Sequence, residues 1–297
     1  MPTLIAPVFN TVTDEPLRIQ LSDDFFLVSG FEPLYKICHE RLRPQMNENR
    51  LHFEEKVKPN SLFLYAEYPT LKVKEDRPFI AEIENRLNMA NGEGVCSIPY
   101  LLTMEENRYG INYLKRSLDG PKFIYTNQIE GLFKRLMNAD ISFPTVPYRR
   151  YLLALEKKSL EDELLDLWIA LESLFVPDGK KGEITYKVRT RIAYYLGQTP
   201  EERIRISNFI KNSYNHRSEV VHSGKDLGNS IKEEIHILRQ IARATLINLA
   251  LEQTKLQKLR EQLDNLVLTG RTYKEEYSPL ILSKLFCPRI FMKKMEK

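Results

Sequence analysis

The residues best suited to chemistry lie at 214–224, where Arg217 precedes His222 by five positions. Histidine has an unperturbed pKa of about 6.5, so it can take and give a proton near neutral pH. Arginine stays protonated and presents a planar fork of donors that fits a phosphate group. The pair therefore suits proton transfer at a phosphate, although its spacing alone is weak evidence because such pairs also arise by chance.

The element that must position this pair is a predicted helix. Thr199 is a favourable N-cap, Pro200 suits the first helical position, and Ser223-Gly224 marks an end after about Val221. Five residues turn an ideal helix by roughly 140° beyond a full turn. Arg217 and His222 therefore converge only if the helix unwinds near His222 or if each of two protomers supplies part of the site.

The rest of the second half also has helical spacing. Apolar residues predict helical structure over 148–175 with a break near 158, a helix over 185–196, and one long helix over 229–266 that bends or packs on a partner. Ser159 is a predicted N-cap, followed by three acids in the first turn.

The first half carries twelve of the 16 prolines, which makes long uninterrupted helices unexpected there. Apolar and alternating runs predict strands at 17–21, 24–28, 61–68, 71–74 and 95–102, with helices at 79–88 and 125–138. The predicted fold class is α+β: a β-rich N-terminal domain at 1–145, an all-α bundle at 146–266 and a C-terminal extension at 267–297.

Composition excludes several classes of protein. A formal net charge of +4 argues against coating nucleic acid by bulk charge, although it permits a local basic patch. Cys38-His39 with His52 matches no common zinc spacing, and no glycine-rich phosphate loop is present. No signal peptide or membrane span is expected, so the sequence predicts a cytoplasmic protein with reduced thiols.

Several motifs in the second half occur in an order that resembles the HEPN superfamily, and in particular its Apea-like branch. They are DLWIALESLF at 166–175, YKVRTRIA at 186–193, and the Arg217-x4-His222-Ser-Gly end of the third helix. The resemblance covers roughly residues 148–255. The position after the arginine, often Asn, Asp or His in active members, is Ser218 here.

The resemblance implies an all-α HEPN-type bundle with endoribonuclease activity. HEPN ribonucleases cut RNA without metal or cofactor, use the ribose 2′-hydroxyl as nucleophile, and leave a cyclic phosphate in a site shared by two protomers. On this basis Arg217 is the expected phosphate-binding residue and His222 the expected acid or base. The implied role is bacterial antiviral defence or a toxin-like response, with the N-terminal domain sensing a trigger, restraining the nuclease or binding a partner.

Weaker candidates surround this pair. Tyr214 and His216 are candidates for RNA contact, although a polar helix face explains them equally well. Lys187, Arg189 and Arg191, with Lys180 and Lys181, form the densest basic stretch and suit either a phosphate-tracking surface or a solvated face. Glu172 interrupts an apolar stripe, so a structural ion pair with Arg189 or Arg191 is expected.

Two other interpretations stay open. The helical domain is, alternatively, a non-catalytic dimeric module that binds RNA or a nucleotide, or a scaffold in which the Arg217/His222 pair only ends a helix.

Overall fold

The computed structural model describes residues 2–48, 53–67, 73–106, 108–138, 143–176 and 183–277. The chain divides into two compact units, Met1–Ala139 and Asp140–Lys297, hereafter the N-terminal and C-terminal units. The N-terminal unit holds the sheet and the C-terminal unit is helical over its described residues. The α+β class is therefore confirmed.

The N-terminal unit is built on a six-stranded antiparallel sheet of order β3-β4-β5-β1-β6-β7. Strands β2 and β8 pair in parallel and form a separate two-stranded sheet. The strands are β1 (Thr3–Pro7), β2 (Thr11–Thr13), β3 (Leu17–Gln20), β4 (Phe25–Ser29), β5 (Phe63–Glu67), β6 (Tyr100–Glu105), β7 (Arg108–Tyr113) and β8 (Phe123–Tyr125).

The predicted strands at 17–21, 24–28 and 61–68 are confirmed as β3, β4 and β5, and β3 and β4 are antiparallel neighbours. The predicted strand at 71–74 is wrong at positions 73 and 74, the two that the structure describes, because helix α3 begins at Val73. Glu75 and Asp76 in its first turn favour a helix start, since carboxylates stabilise the positive end of the helix dipole.

The expectation of short helices in the first half is also wrong. Helices α1 (Glu32–Glu48) and α3 (Val73–Ala90) run for 17 and 18 residues with Pro44 and Pro78 inside them. Each proline removes one backbone hydrogen bond. An apolar stripe at helical spacing offsets that loss: in α1 the buried residues are Leu34, Cys38, Leu42 and Met46. Two further helices, α2 (Phe53–Lys56) and α4 (Asn127–Asn138), complete the unit.

The C-terminal unit contains seven described α-helices and a 3₁₀ turn at Gly228–Ile231. They are α5 (Thr145–Leu155), α6 (Leu160–Phe175), α7 (Ile184–Leu196), α8 (Pro200–Ser223), α9 (Lys232–Leu251), α10 (Leu256–Thr269) and α11 (Tyr273–Tyr277). Helix α9 is the central one, because every residue from Ile241 to Ala250 is buried. Helices α5 and α6 pack against it.

The predicted break near residue 158 is confirmed, and Ser159 caps α6 by accepting a hydrogen bond from the backbone N–H of Asp162. The single helix predicted over 229–266 is wrong. The chain breaks after Leu251, where Gln253 adopts a left-handed φ of 47° and the Thr254 N–H bonds the Leu249 carbonyl. Apolar spacing continues across the break because α10 also buries an apolar stripe, Leu259, Leu263 and Leu266, in its packing on α7.

Candidate functional site

Helix α8 carries both Arg217 and His222, and local signals fix its two ends. Thr199 and Glu202 form a reciprocal capping box, with Pro200 at the first helical position. At the other end Gly224 has a left-handed φ of 60°, which glycine adopts at little cost, and its N–H bonds the Val220 carbonyl. The predicted bounds of this helix are confirmed.

A buried hydrogen bond sets the register between α6 and α8. The indole Nε1 of Trp168 donates to Ser213 Oγ at 3.0 Å, and both residues are buried. Tyr214 meets the Trp168 ring edge-on, with centroids 5.2 Å apart. One helical turn further along both helices, this register brings Glu172 opposite Arg217.

Glu172 and Arg217 form a loose ion contact. Arg217 Nη2 lies 4.0 Å from Glu172 Oε1, and the two side chains are 24% and 25% exposed. Burial raises the pKa of Glu172, and the Arg217 charge acts in the opposite direction. The partner expected for Glu172, Arg189 or Arg191, is therefore wrong, because α8 and not α7 presents the cation next to it.

Arg217 keeps donors for a further acceptor. Its Nε is buried and has no hydrogen-bond partner within the described part of the chain. The guanidinium carbon lies 5.6 Å from the centre of the Tyr214 ring, which is within the range of a cation–π contact. The Arg217 side chain is 24% exposed, and a partly exposed guanidinium is suited to binding a phosphate oxygen.

His222 lies in the last turn of α8 and its side chain is exposed. Helical geometry persists through Ser223, so the helix does not unwind at His222. Within one chain the two side chains therefore leave the helix roughly 140° apart. The predicted unwinding of the helix at His222 is therefore wrong, and the single chain does not bring the two side chains together. A site with contributions from two protomers stays a prediction.

The segment after His222 is anchored to α6 by Glu161. Its carboxylate accepts the backbone N–H groups of Leu227 and Gly228, each at 3.1 Å, and the Ser159 hydroxyl at 2.7 Å. The Ser159 hydrogen bond, followed by backbone donors, lowers the pKa of Glu161 to about 2. Sequence reasoning did not identify this role, because an acid in a first turn is typical of any helix start.

Replacing Glu161 with glutamine should destabilise the C-terminal unit by about 1 kcal/mol at pH 7, since a charged acceptor of several hydrogen bonds is lost. The folded-state pKa lies below the ordinary value of 4.5. The contribution is thus complete above pH 4.5 and is lost as pH falls towards 2.

Urea unfolding of wild type and Glu161→Gln across this pH range measures the effect, with Glu252→Gln at an exposed carboxylate as control. A difference in unfolding free energy that does not shrink on acidification contradicts the assignment.

His216 and Tyr214 have protein partners. His216 Nδ1 lies 2.7 Å from Glu234 Oε2 on α9, with side-chain exposures of 39% and 11%. Tyr214 packs on Trp168 as described above and is half-buried. Both therefore contribute to the packing of α8, and both retain some exposed surface.

The basic side chains of α7 lie in different environments. Arg191 is buried, donates twice to Asp264 at 2.8 Å and also bonds the Phe175 carbonyl, so its predicted RNA contact is wrong. The reason is that α7 packs on α10 through this side chain. Arg189 lies 5.4 Å over the exposed Tyr186 ring, and Lys187 is exposed. Lys180 and Lys181 lie outside the described residues.

Within the described residues no group of three or more His, Cys, Asp or Glu side chains is placed to hold a metal ion. Cys38 is buried, and His39 lies 2.9 Å from Glu54. His52 lies outside the described residues. None of the described helices has the length and apolar character needed to cross a membrane.

Comparison with known proteins gives no relative: no family model, curated protein or solved structure matches the chain.

Proposed function

We propose that the C-terminal unit is a HEPN-type endoribonuclease that cuts RNA without a metal ion. The observation that carries the proposal is the placement of Arg217, whose guanidinium lies between Glu172 at 4.0 Å and the Tyr214 ring at 5.6 Å while its side chain stays 24% exposed. Such a group is prepared to receive an anion. The exposed imidazole of His222 on the same helix supplies the proton-transfer chemistry.

In this reaction the ribose 2′-oxygen attacks the adjacent phosphorus and the 5′-oxygen leaves. Arg217 stabilises the charge that grows on the phosphate oxygens in the transition state. His222 exchanges a proton with one of the two reacting oxygens. The products are a 2′,3′-cyclic phosphate and a 5′-hydroxyl end.

A homodimer completes the proposed site. The divergence of Arg217 and His222 on a continuous helix supports a composite site in which each protomer supplies one of them. The outer surface of α8 is available for such an interface: none of the described residues from 214 to 223 is buried, and Ile204 and Val221 are exposed.

The proposed setting is the bacterial cytoplasm, in antiviral defence or a toxin-like response. The N-terminal unit would then sense a trigger, restrain the nuclease or bind a partner.

The test is cleavage of a labelled single-stranded RNA by the purified full chain in EDTA. We expect fragments with 2′,3′-cyclic phosphate and 5′-hydroxyl ends, and no cleavage of the same sequence with 2′-O-methyl riboses, which lack the nucleophile. Fragments with 5′-phosphate ends, or cleavage that needs added Mg²⁺, would refute the mechanism. RNA that is bound but left intact would favour the non-catalytic binding module.

A further inference from the structure

A second imidazole close to Arg217 is already paired with a carboxylate. His216 Nδ1 lies 2.7 Å from Glu234 Oε2. Glu234 belongs to the first turn of α9 and its side chain is 11% exposed, and its other oxygen, Oε1, is buried with no hydrogen-bond partner in the described part of the chain. The carboxylate is thus directed at one imidazole.

This pairing fixes the tautomer of a neutral His216. An ionised carboxylate only accepts hydrogen bonds, so Nδ1 carries the proton that is donated to Glu234. The lone pair of the neutral ring is then on Nε2. Because the His216 side chain is 39% exposed, a solvent-borne substrate can approach the ring. A carboxylate that orients an imidazole in this way is the arrangement that prepares a histidine to accept a proton.

Helix geometry places His216 nearer to Arg217 than His222 is. Neighbouring Cα atoms are about 3.8 Å apart, and the His216 and Arg217 side chains leave the helix roughly 100° apart. His222, in contrast, lies about 7.5 Å further along the axis from Arg217 and roughly 140° around it. Of the two histidines on α8, His216 is therefore the nearer to a phosphate held by Arg217, both along the helix axis and around it.

We propose that His216, oriented by Glu234, is a second proton-transfer residue of the RNA site and acts as the general base, an inference that rests on the proposed ribonuclease function. Nε2 of His216 takes the proton from the 2′-hydroxyl as the bond from that oxygen to phosphorus forms. The bond from phosphorus to the 5′-oxygen breaks, and the leaving oxygen takes its proton from protonated His222 of the other protomer. One proton is accepted and one is given, and exchange with water restores both residues.

A purely structural role is the competing explanation, in which the pair only joins α8 to α9. The N-terminal unit offers a matched example, His39 with Glu54 at 2.9 Å, whose carboxylate is 43% exposed and also pairs with Arg43 at 3.1 Å. Among the described ion pairs Glu234 has His216 alone. Within the described residues, the Glu234 carboxylate therefore has one ion-pair partner, His216, whereas the Glu54 carboxylate has two, His39 and Arg43.

The test uses His216→Asn, because the asparagine amide can replace the Nδ1 donor to Glu234 while Nε2 is lost. On RNA we expect kcat to fall by about 10²-fold with KM within about threefold of wild type. The second substrate is uridine 3′-(4-nitrophenyl phosphate), whose leaving group departs without a proton. His222→Ala should recover most of its activity on this ester, whereas His216→Asn should remain about 10²-fold impaired.

His39→Asn is the control and should match wild type on both substrates. The inference is overturned if His216→Asn keeps its kcat on RNA, or if the nitrophenyl ester rescues His216→Asn as fully as His222→Ala. A wild-type protein that cleaves neither substrate would instead refute the proposed function, so the two failures are distinguishable.

Discussion

Replacing His222 with alanine is expected to lower kcat for RNA cleavage by about 10²–10⁴-fold, the range that removal of a positioned acid or base produces. The reason is that RNA has a poor leaving group, so its 5′-oxygen must receive a proton as it departs. The measurement is a single-turnover time course at saturating protein, which separates chemistry from binding and product release.

The same substitution should leave the fold intact. His222 is exposed in the final turn of α8, and the helix end is held by Gly224 and by the Glu161 contacts to the following segment. The midpoint of urea unfolding should therefore stay near that of wild type. His39→Ala controls for the loss of an imidazole elsewhere. Cleavage by His222→Ala within a few fold of wild type would remove His222 from the mechanism.

The ends of the helices that frame the site were predictable because their causes are local. Ser159, Thr199 and Pro200 act on backbone groups within one turn of themselves, and Gly224 acts through its own φ. Such signals are readable in sequence without knowledge of what the helix packs against. Helix α8, with Arg217 and His222 at their places in it, therefore followed from the residues alone.

The partners of the charged side chains were not predictable, because they depend on which helices meet. Glu172 faces Arg217 on account of the Trp168–Ser213 hydrogen bond, which sets the register of α6 on α8. Arg191 pairs with Asp264, 73 positions later in the chain. Packing thus buries one cation of the basic stretch, Arg191, and leaves Lys187 exposed.

Tertiary packing also overrode local preference in the N-terminal unit. Pro44 and Pro78 indicate breaks when considered alone, yet each lies inside a helix whose apolar stripe is buried. Burial of one large apolar side chain contributes roughly 1.5–3 kcal/mol, and a stripe of several outweighs one missing backbone hydrogen bond. The spacing of apolar residues was therefore a better guide to these helices than their prolines were.

Mixing two inactive variants should restore activity if the site is composite. A chain with Arg217→Ala still carries His222, and a chain with His222→Ala still carries Arg217. In a heterodimer of the two, one site combines the intact Arg217 of one protomer with the intact His222 of the other, while the second site lacks both. Random exchange in a 1:1 mixture then gives about a quarter of wild-type activity, because half of the dimers are mixed and each has one working site.

The alternative geometry predicts the opposite result. If Arg217 and His222 act within one chain, each site in the mixed dimer lacks one residue and the mixture stays as inactive as its parts. The continuous helix through Ser223, which separates the two side chains by roughly 140°, is the reason to expect complementation. The measurement is cleavage after co-refolding of differently tagged chains and isolation of the doubly tagged dimer, which should have about half of wild-type activity because one of its two sites works. Arg217→Ala mixed with itself is the control. A doubly tagged dimer that forms and does not cleave RNA would rule out the composite site.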